Sequence, residues 1–300
     1  MKVAVTGASG LIGSALVPAL QRAGHEVVRL VRRPTRSAEE VRWDPDQQQL
    51  DPEVLADVDG VVHLAGVGVA DRRWSDKRRS AIIQSRVDGT TTISQALAAA
   101  APRSRVLVSA SGIDWYGDTG DRPVTEADPA GTGFLSDVTV RWEAATSAAS
   151  DAGVRVALCR SSLVMSPKGG IMGRLLPLFK LGLGGRLSGG AQYWPWISLA
   201  DEVSAMVFLL ERDISGPVNL AGPEQVTNAE FTATLGRVLH RPTVATVPAL
   251  ALKLALGQQM AEELTLTGSR ALPQVLLDNG FEFQHPTLES ALRWITSRPA

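Results

Sequence analysis

Glycines stand at every third position in Thr6-Gly7-Ala8-Ser9-Gly10-Leu11-Ile12-Gly13, directly behind the short apolar run of residues 2–6, and few folds accept that pattern. Over residues 11–20 the apolar positions then recur at helical spacing, so the stretch reads as strand, tight turn and helix. Each glycine has a physical task in such a unit. Gly7 turns the chain sharply off the strand, Gly10 lets backbone approach a pyrophosphate, and Gly13 lets the helix pack close to the strand. Thr6, Ser9, Leu11 and Ile12 complete a loop whose exposed amides, helped by the helix dipole, hold an anion. A glycine-rich turn without a ligand is the bland alternative. The strand-turn-helix context favours a dinucleotide.

The position after the second strand, residues 27–31, selects the cofactor. An acidic residue there would bond a ribose 2′-hydroxyl, whereas Arg suits a 2′-phosphate. This chain carries Arg32-Arg33-Pro34, so NADP is the expected cofactor. Residues 36–54 are polar and read as a connecting loop or hairpin. Residues 59–66, ending His63-Leu64-Ala65-Gly66, form the next buried strand, and its small terminal residues leave room for the adenosine half to pass over the sheet. A helix over residues 75–99 carries Arg86, and strands follow at residues 105–109 and 153–160.

Composition sets the outer limits. The 300 residues include 30 basic and 31 acidic side chains, a net charge of −1, which gives no reason to expect nucleic acid or an anionic membrane as partner. Met1 leads almost directly into a strand, leaving no room for a signal peptide, and no apolar run nears the roughly 20 residues of a membrane span. The single cysteine, Cys159, excludes an internal disulfide and reads as a buried strand residue. The four histidines lack ligand spacing, so no metal is expected. A cytoplasmic protein is the default.

Several blocks together resemble the extended short-chain dehydrogenase/reductases: the glycine turn, His63-Leu64-Ala65-Gly66, Ser109-Ala110-Ser111 with Tyr116-Gly117, and Arg160 after a late strand. More narrowly, Gly133-Phe134-Leu135, Arg141-Trp142-Glu143, Trp196-Ile197, Pro217-Val218-Asn219-Leu220 and Thr227-Asn228-Ala229-Glu230-Phe231 resemble a sugar-nucleotide epimerase-like subgroup of unknown substrate. The resemblance spans nearly the whole chain. It implies that Ser109 and Arg160 join the cofactor-binding set; helix-mediated dimers are common in that family, so a homodimer is a candidate assembly. The family's Tyr-x-x-x-Lys motif is absent: counting back from Glu143 puts the two positions at Leu135 and Thr139, and Arg86 stands where the family has Asn.

Ser111, Tyr116 and Arg86 remain as catalytic candidates. Ser111 can polarise a carbonyl, Tyr116 can donate a proton or simply shape a wall, and Arg86 can supply the missing positive charge or make a structural ion pair. Further along, residues 171–181 read as a helix, Tyr193, Trp194 and Trp196 offer rings to a ligand or to packing, Asp201 reads as a helix N-cap, Thr227 and Glu230 form a capping box, and residues 250–266 read as one apolar-faced helix packed on the lobe.

The fold expected is α/β, a Rossmann-type doubly wound parallel sheet with a smaller, mostly helical C-terminal lobe. The cofactor domain covers residues 1–165, completed by segments near 191–222, and residues 166–300 mostly build the substrate lobe. Two functions fit. One is an NADP-dependent reductase or epimerase-like enzyme acting by hydride transfer on a small molecule; the other is a non-catalytic NADP(H)-binding sensor or scaffold.

Overall fold

A computed structural model describes residues 1–100 and 105–297. The first apolar run forms strand β1 (Lys2–Thr6), and helix α1 (Gly13–Arg22) follows the glycine turn. Strands β2 (Glu26–Val31), β3 (Glu40–Arg42), β4 (Gly60–His63) and β5 (Val106–Gly112) come next, with helix α2 (Asp76–Ala99) between the last two. Strands Arg155–Ser161 and Gly216–Leu220 complete a seven-stranded sheet. From one edge the order is Gly216–Leu220, Arg155–Ser161, β5, β4, β1, β2, β3, with every pairing parallel.

Parallel strands must be covered on both faces, which is why these segments are near-continuous apolar runs. One face carries α1 and the helix Leu199–Glu211, with Val3, Val5, Leu16, Leu20, Val108 and Leu209 in its core. The other packs Ala4, Leu30, Val61, Leu107 and Val156 against Ile93 and Leu97 of α2. The order in which successive strands are laid down reverses between β1 and β4. Cofactors bind at such a switch point, outside the carboxyl ends of the strands.

Strand β3 lies within the polar segment expected to be a loop or hairpin. Its Val41 pairs with Leu30 and its Glu40 with Arg29, so the sheet edge recruits a run too short and too polar to announce itself.

After Ser161 the chain builds a second layer. Strand Leu163–Ser166 pairs with Trp196–Ser198, and Gly185–Leu187 pairs with Ala245–Val247. Helices Gly170–Lys180, Asn228–Leu239 and Leu288–Thr296 enclose a core of Met165, Met172, Trp194, Trp196, Phe231 and Leu292. Trp194 and Trp196 are therefore packing residues, as the second of the two sequence readings has it; only Tyr193 of the three rings stays half-buried. Thr227 and Glu230 make both bonds of the capping box. Ser198, not Asp201, caps the helix Leu199–Glu211. Asp201 is fully buried and accepts hydrogen bonds from Ser198 Oγ and from the amides of Gln284 and His285.

The continuous helix expected at residues 250–266 is broken. Helix Ala249–Leu256 ends at Gly257, whose φ of +89° is left-handed, and Gln258–Ala261 and a wider turn, Glu262–Leu266, follow. Leu250 and Leu254 are 68% and 70% exposed, so the apolar face expected to pack on the lobe is open. No helix among the described residues is long and apolar enough to cross a membrane.

Candidate active site

The glycine turn has the shape an anion needs. Gly7 has φ +65°, and a Cβ there would stand 2.9 Å from the Leu64 carbonyl carbon. At Gly13 a Cβ would overlap the Gly7 carbonyl. Gly10 N–H donates to Gly7 O at 2.9 Å, closing the turn, while Ser9 and Gly10 face solvent. Leu11 and Ile12 are half-buried at the start of α1, and Leu64, Ala65 and Gly66 run along the adjoining ledge at the end of β4. An open turn without side chains, above strand ends, fits a dinucleotide phosphate.

The two arginines after β2 separate in role. Arg33 makes a bidentate pair with Glu40 at 2.7 and 2.8 Å, and that pair, with the Arg36 amide, holds the Glu40 carboxyl down at about 2. Arg32 is exposed and has no protein partner among the described residues, so it is the free fork at this site.

Four residues expected to touch the cofactor lie beneath its surface. Thr6 is fully buried; its hydroxyl meets His63 Nδ1 at 2.8 Å and accepts the Leu64 and Ala65 amides at 3.0 and 3.2 Å. His63 is also fully buried, edge-on to Trp43, and burial pushes its pKa down to about 4. Ser109 is buried within β5. Arg160 grips Glu143 through Nε and Nη2 at 2.8 and 2.9 Å, inside the protein. These four shape the ledge from below, a task that residue type alone does not separate from contact.

Two of the three catalytic candidates are tied up in the same way. Ser111 Oγ donates to Glu143 Oε1 at 2.6 Å. Tyr116 lies on a tight turn, Ile113–Tyr116, and is 3% exposed. Its hydroxyl accepts from Arg160 Nη1 at 3.0 Å and donates to Asn219 Oδ1 at 2.8 Å, while Asn219 Nδ2 donates to Leu272 O. Burial outweighs Arg160 and raises the Tyr116 pKa above its usual value, the wrong direction for a base at neutral pH. Through Asn219, its hydroxyl ties the C-terminal segment to the sheet edge.

Arg86 is the candidate that keeps unspent donors and stays half-buried. Its Nη1 donates to the carbonyls of Val67 and Ile82, and the guanidinium lies 4.7 Å from the Trp142 ring centroid. A Cβ built on exposed Gly66 would stand 3.7 Å from it. Burial lowers its pKa to about 10, which leaves it charged at neutral pH.

Across from it stands a residue that the sequence pattern did not single out, Asp114. It sits three residues beyond Ser111, half-buried at the end of β5, and its carboxyl makes no side-chain hydrogen bond among the described residues. Burial raises its pKa to about 6, opposed by Arg86 and reinforced by Glu263. A Cβ at Gly112 would stand 3.2 Å from Asp114 Oδ2 and 3.6 Å from Thr139 Oγ1, so Asp114 shares this corner with the position where the wider family carries Lys. An Asp in a turn ordinarily reads as a local cap. Only the burial imposed by α3 (Phe134–Ala144) and the lobe reveals it.

Glu263 closes the corner from the lobe. Its carboxylate accepts the amides of Phe134 and Leu135 at 3.1 and 2.8 Å, capping α3, whose Gly133 offers no side chain for the purpose. The negative charge also suits a helix N-terminus.

Comparison with known proteins shows the family to which the chain belongs. Residues 3–221 match the NAD dependent epimerase/dehydratase family, and residues 247–295 match a domain of unknown function, DUF1731. Epimerase family protein Mb2239 of Mycobacterium bovis is 48% identical over 298 residues, covering 99% of this chain and 98% of its own. Epimerase family protein SDR39U1 of Homo sapiens is 33% identical over 301 residues, covering 99% of this chain and all of its own length (100%). A crystal structure of that human protein (isoform 2) with NADPH has a TM-score of 0.90 at 30% identity, covering 99% of both chains.

Proposed function

Since the chain belongs to the NAD dependent epimerase/dehydratase family, we propose that it binds NADP(H) and acts by hydride transfer on a small molecule held between the strand ends and the C-terminal lobe. The observation that carries this reading is the open glycine turn with unpaired Arg32 beside it, at the switch point of the sheet. In it, the amides of Ser9, Leu11 and Ile12, which close no bond of the turn, hold the diphosphate, Arg32 meets the 2′-phosphate, and Leu64, Ala65 and Gly66 floor the site. The bound dinucleotide supplies a hydride donor or acceptor at its nicotinamide. Arg86 and Asp114 supply the charged groups at the substrate end.

A second reading, a non-catalytic NADP(H)-binding sensor or scaffold, is favoured by one observation: Leu135 and Thr139, at the family's Tyr and Lys positions, are both buried, and Thr139 Oγ1 is spent on the Leu135 carbonyl. Calorimetric titration with NADPH, NADP⁺, NADH and NAD⁺, followed by a carbonyl screen read at the nicotinamide absorbance, separates the two. Phosphate-selective binding with turnover supports the enzyme; phosphate-selective binding without turnover of any carbonyl supports the sensor. Failure to bind all four would sink both.

A further inference from the structure

We propose that Asp114 is the group that exchanges a proton with the reacting oxygen of the substrate, and that the free edge of Arg86 holds that oxygen in place. The inference rests on the hydride-transfer reading and adds to it the residue that replaces the missing tyrosine.

The geometry begins with what each group leaves unused. Arg86 spends Nη1 on two backbone carbonyls and packs its face on Trp142; its Nε and Nη2 have no hydrogen-bond partner among the described residues. Asp114 leaves its whole carboxyl unbonded to other side chains. Arg86 lies on Trp142 and Asp114 shares a corner with Thr139, three residues away on the same helix α3, yet no ion pair within 4 Å joins the two. A cation and a carboxyl that each keep unused hydrogen-bonding atoms can both bond a third polar group placed between them. Gly66, exposed on the ledge at the end of β4, lies beside Arg86.

The electrostatics suit proton exchange. The charges facing Asp114 are Arg86 on α2 and Glu263 on the lobe, and Arg78 lies close enough to act on Arg86. Burial and Glu263 favour the protonated acid, and Arg86 opposes them, so the carboxyl titrates within a unit or so of neutrality. An acid or base works best with a pKa near the operating pH. Two carboxyl groups in one corner also disfavour an anionic reacting centre, which points to an uncharged aldehyde or ketone and its alcohol.

In the reducing direction the carbonyl carbon accepts two electrons as hydride from the dihydronicotinamide while its oxygen takes the proton from Asp114. The O–H bond of the alcohol forms as that of the acid breaks, leaving NADP⁺, alcohol and carboxylate, and solvent reprotonates Asp114. Oxidation runs the same bonds backwards.

The test uses the full chain with aspartate carboxyls labelled with carbon-13. The resonance that D114N removes should titrate near pH 6, and R86M should raise its midpoint by about one unit, since a neighbouring cation is lost. D114N and D114E should bind NADPH within about twofold of wild type. For the best aldehyde or ketone found by NADPH oxidation, D114N should lower kcat about 100-fold with KM little changed, and D114E should restore part of it. A titration near 4, a midpoint indifferent to R86M, or undiminished turnover in D114N would overturn the assignment. Loss of NADPH binding in wild type and variants alike overturns the underlying cofactor reading; the titration, which needs no cofactor, tells that failure from a failure of Asp114.

Discussion

Arg32 and Arg33 are neighbours of one chemical type with opposite circumstances, and substitution should separate them. Arg32→Ala removes a free guanidinium and should weaken NADPH binding by roughly 10- to 100-fold, the value of about 1.5–3 kcal/mol for a charged hydrogen bond, while leaving NADH binding unchanged. Arg33→Ala should instead lower the melting temperature, because Glu40 is 5% exposed at its side chain and loses both bonds of the fork. Parallel calorimetry and thermal melts check the pair; equal loss of affinity in both would reject the division. The same reasoning applies to Arg160, whose charge is buried on Glu143. Arg160→Met should cost about 3–5 kcal/mol in denaturant unfolding, the usual penalty for stranding one partner of a buried ion pair. Residue type was legible here, and partnership was not. Nothing in Arg32-Arg33 distinguishes the two arginines until β3 brings Glu40 beside one of them.

Among the elements, the strand-turn-helix unit was the most readable, because three glycines impose steric requirements that other residues cannot meet. Gly13→Ala places a methyl group on the Gly7 carbonyl and should abolish NADPH binding, with the melting temperature reporting how far α1 is pushed from the sheet. Capping is local too, so the Thr227–Glu230 box was visible from spacing alone; Thr227→Ala should cost about 1 kcal/mol in chemical denaturation. Elements that depend on distant partners were harder to see. Strand β3 exists because β2 offers it a free edge, and the apolar stretch at residues 249–266 breaks at Gly257, where the chain turns past Arg73 toward α3. Helical spacing predicted its apolar character correctly and its continuity wrongly.

At the scale of the molecule, two buried acids make stability depend on pH. Glu202 is fully buried beneath the sheet end, with Ser161 as hydrogen-bond donor, and burial pushes its pKa up to about 8. Below the ordinary glutamate range the carboxyl is protonated in both folded and unfolded chains. From about 4.5 up to about 8 only the unfolded chain ionises, so stability falls as pH rises, by at most about 1.4 kcal/mol per unit. Asp114 acts in the same direction over a lower range, up to about 6. His63, kept neutral by burial down to about 4, opposes both acids below its ordinary 6.5, so thermal melts should show the melting temperature falling between about pH 6.5 and 8, and Glu202→Gln should flatten that fall. A flat wild-type profile would mean that Glu202 is solvated in solution.

The sequence by itself determined the Rossmann-type sheet, most of its strands and helices, and the anion-binding turn. These follow from apolar periodicity and from sites where only glycine fits, and both are properties of neighbours along the chain. Tertiary structure alone decided which polar residues face the cleft. Thr6, His63, Ser111, Tyr116 and Arg160 have the chemistry of site residues yet spend their hydrogen bonds or their surface inside the protein. Asp114 looks like an ordinary turn residue, and it becomes an acid titrating near neutrality because α2, α3 and a loop from the far end of the chain close around it. Burial and partnership are set by contacts between segments 17 to 129 residues apart, and no local pattern records them.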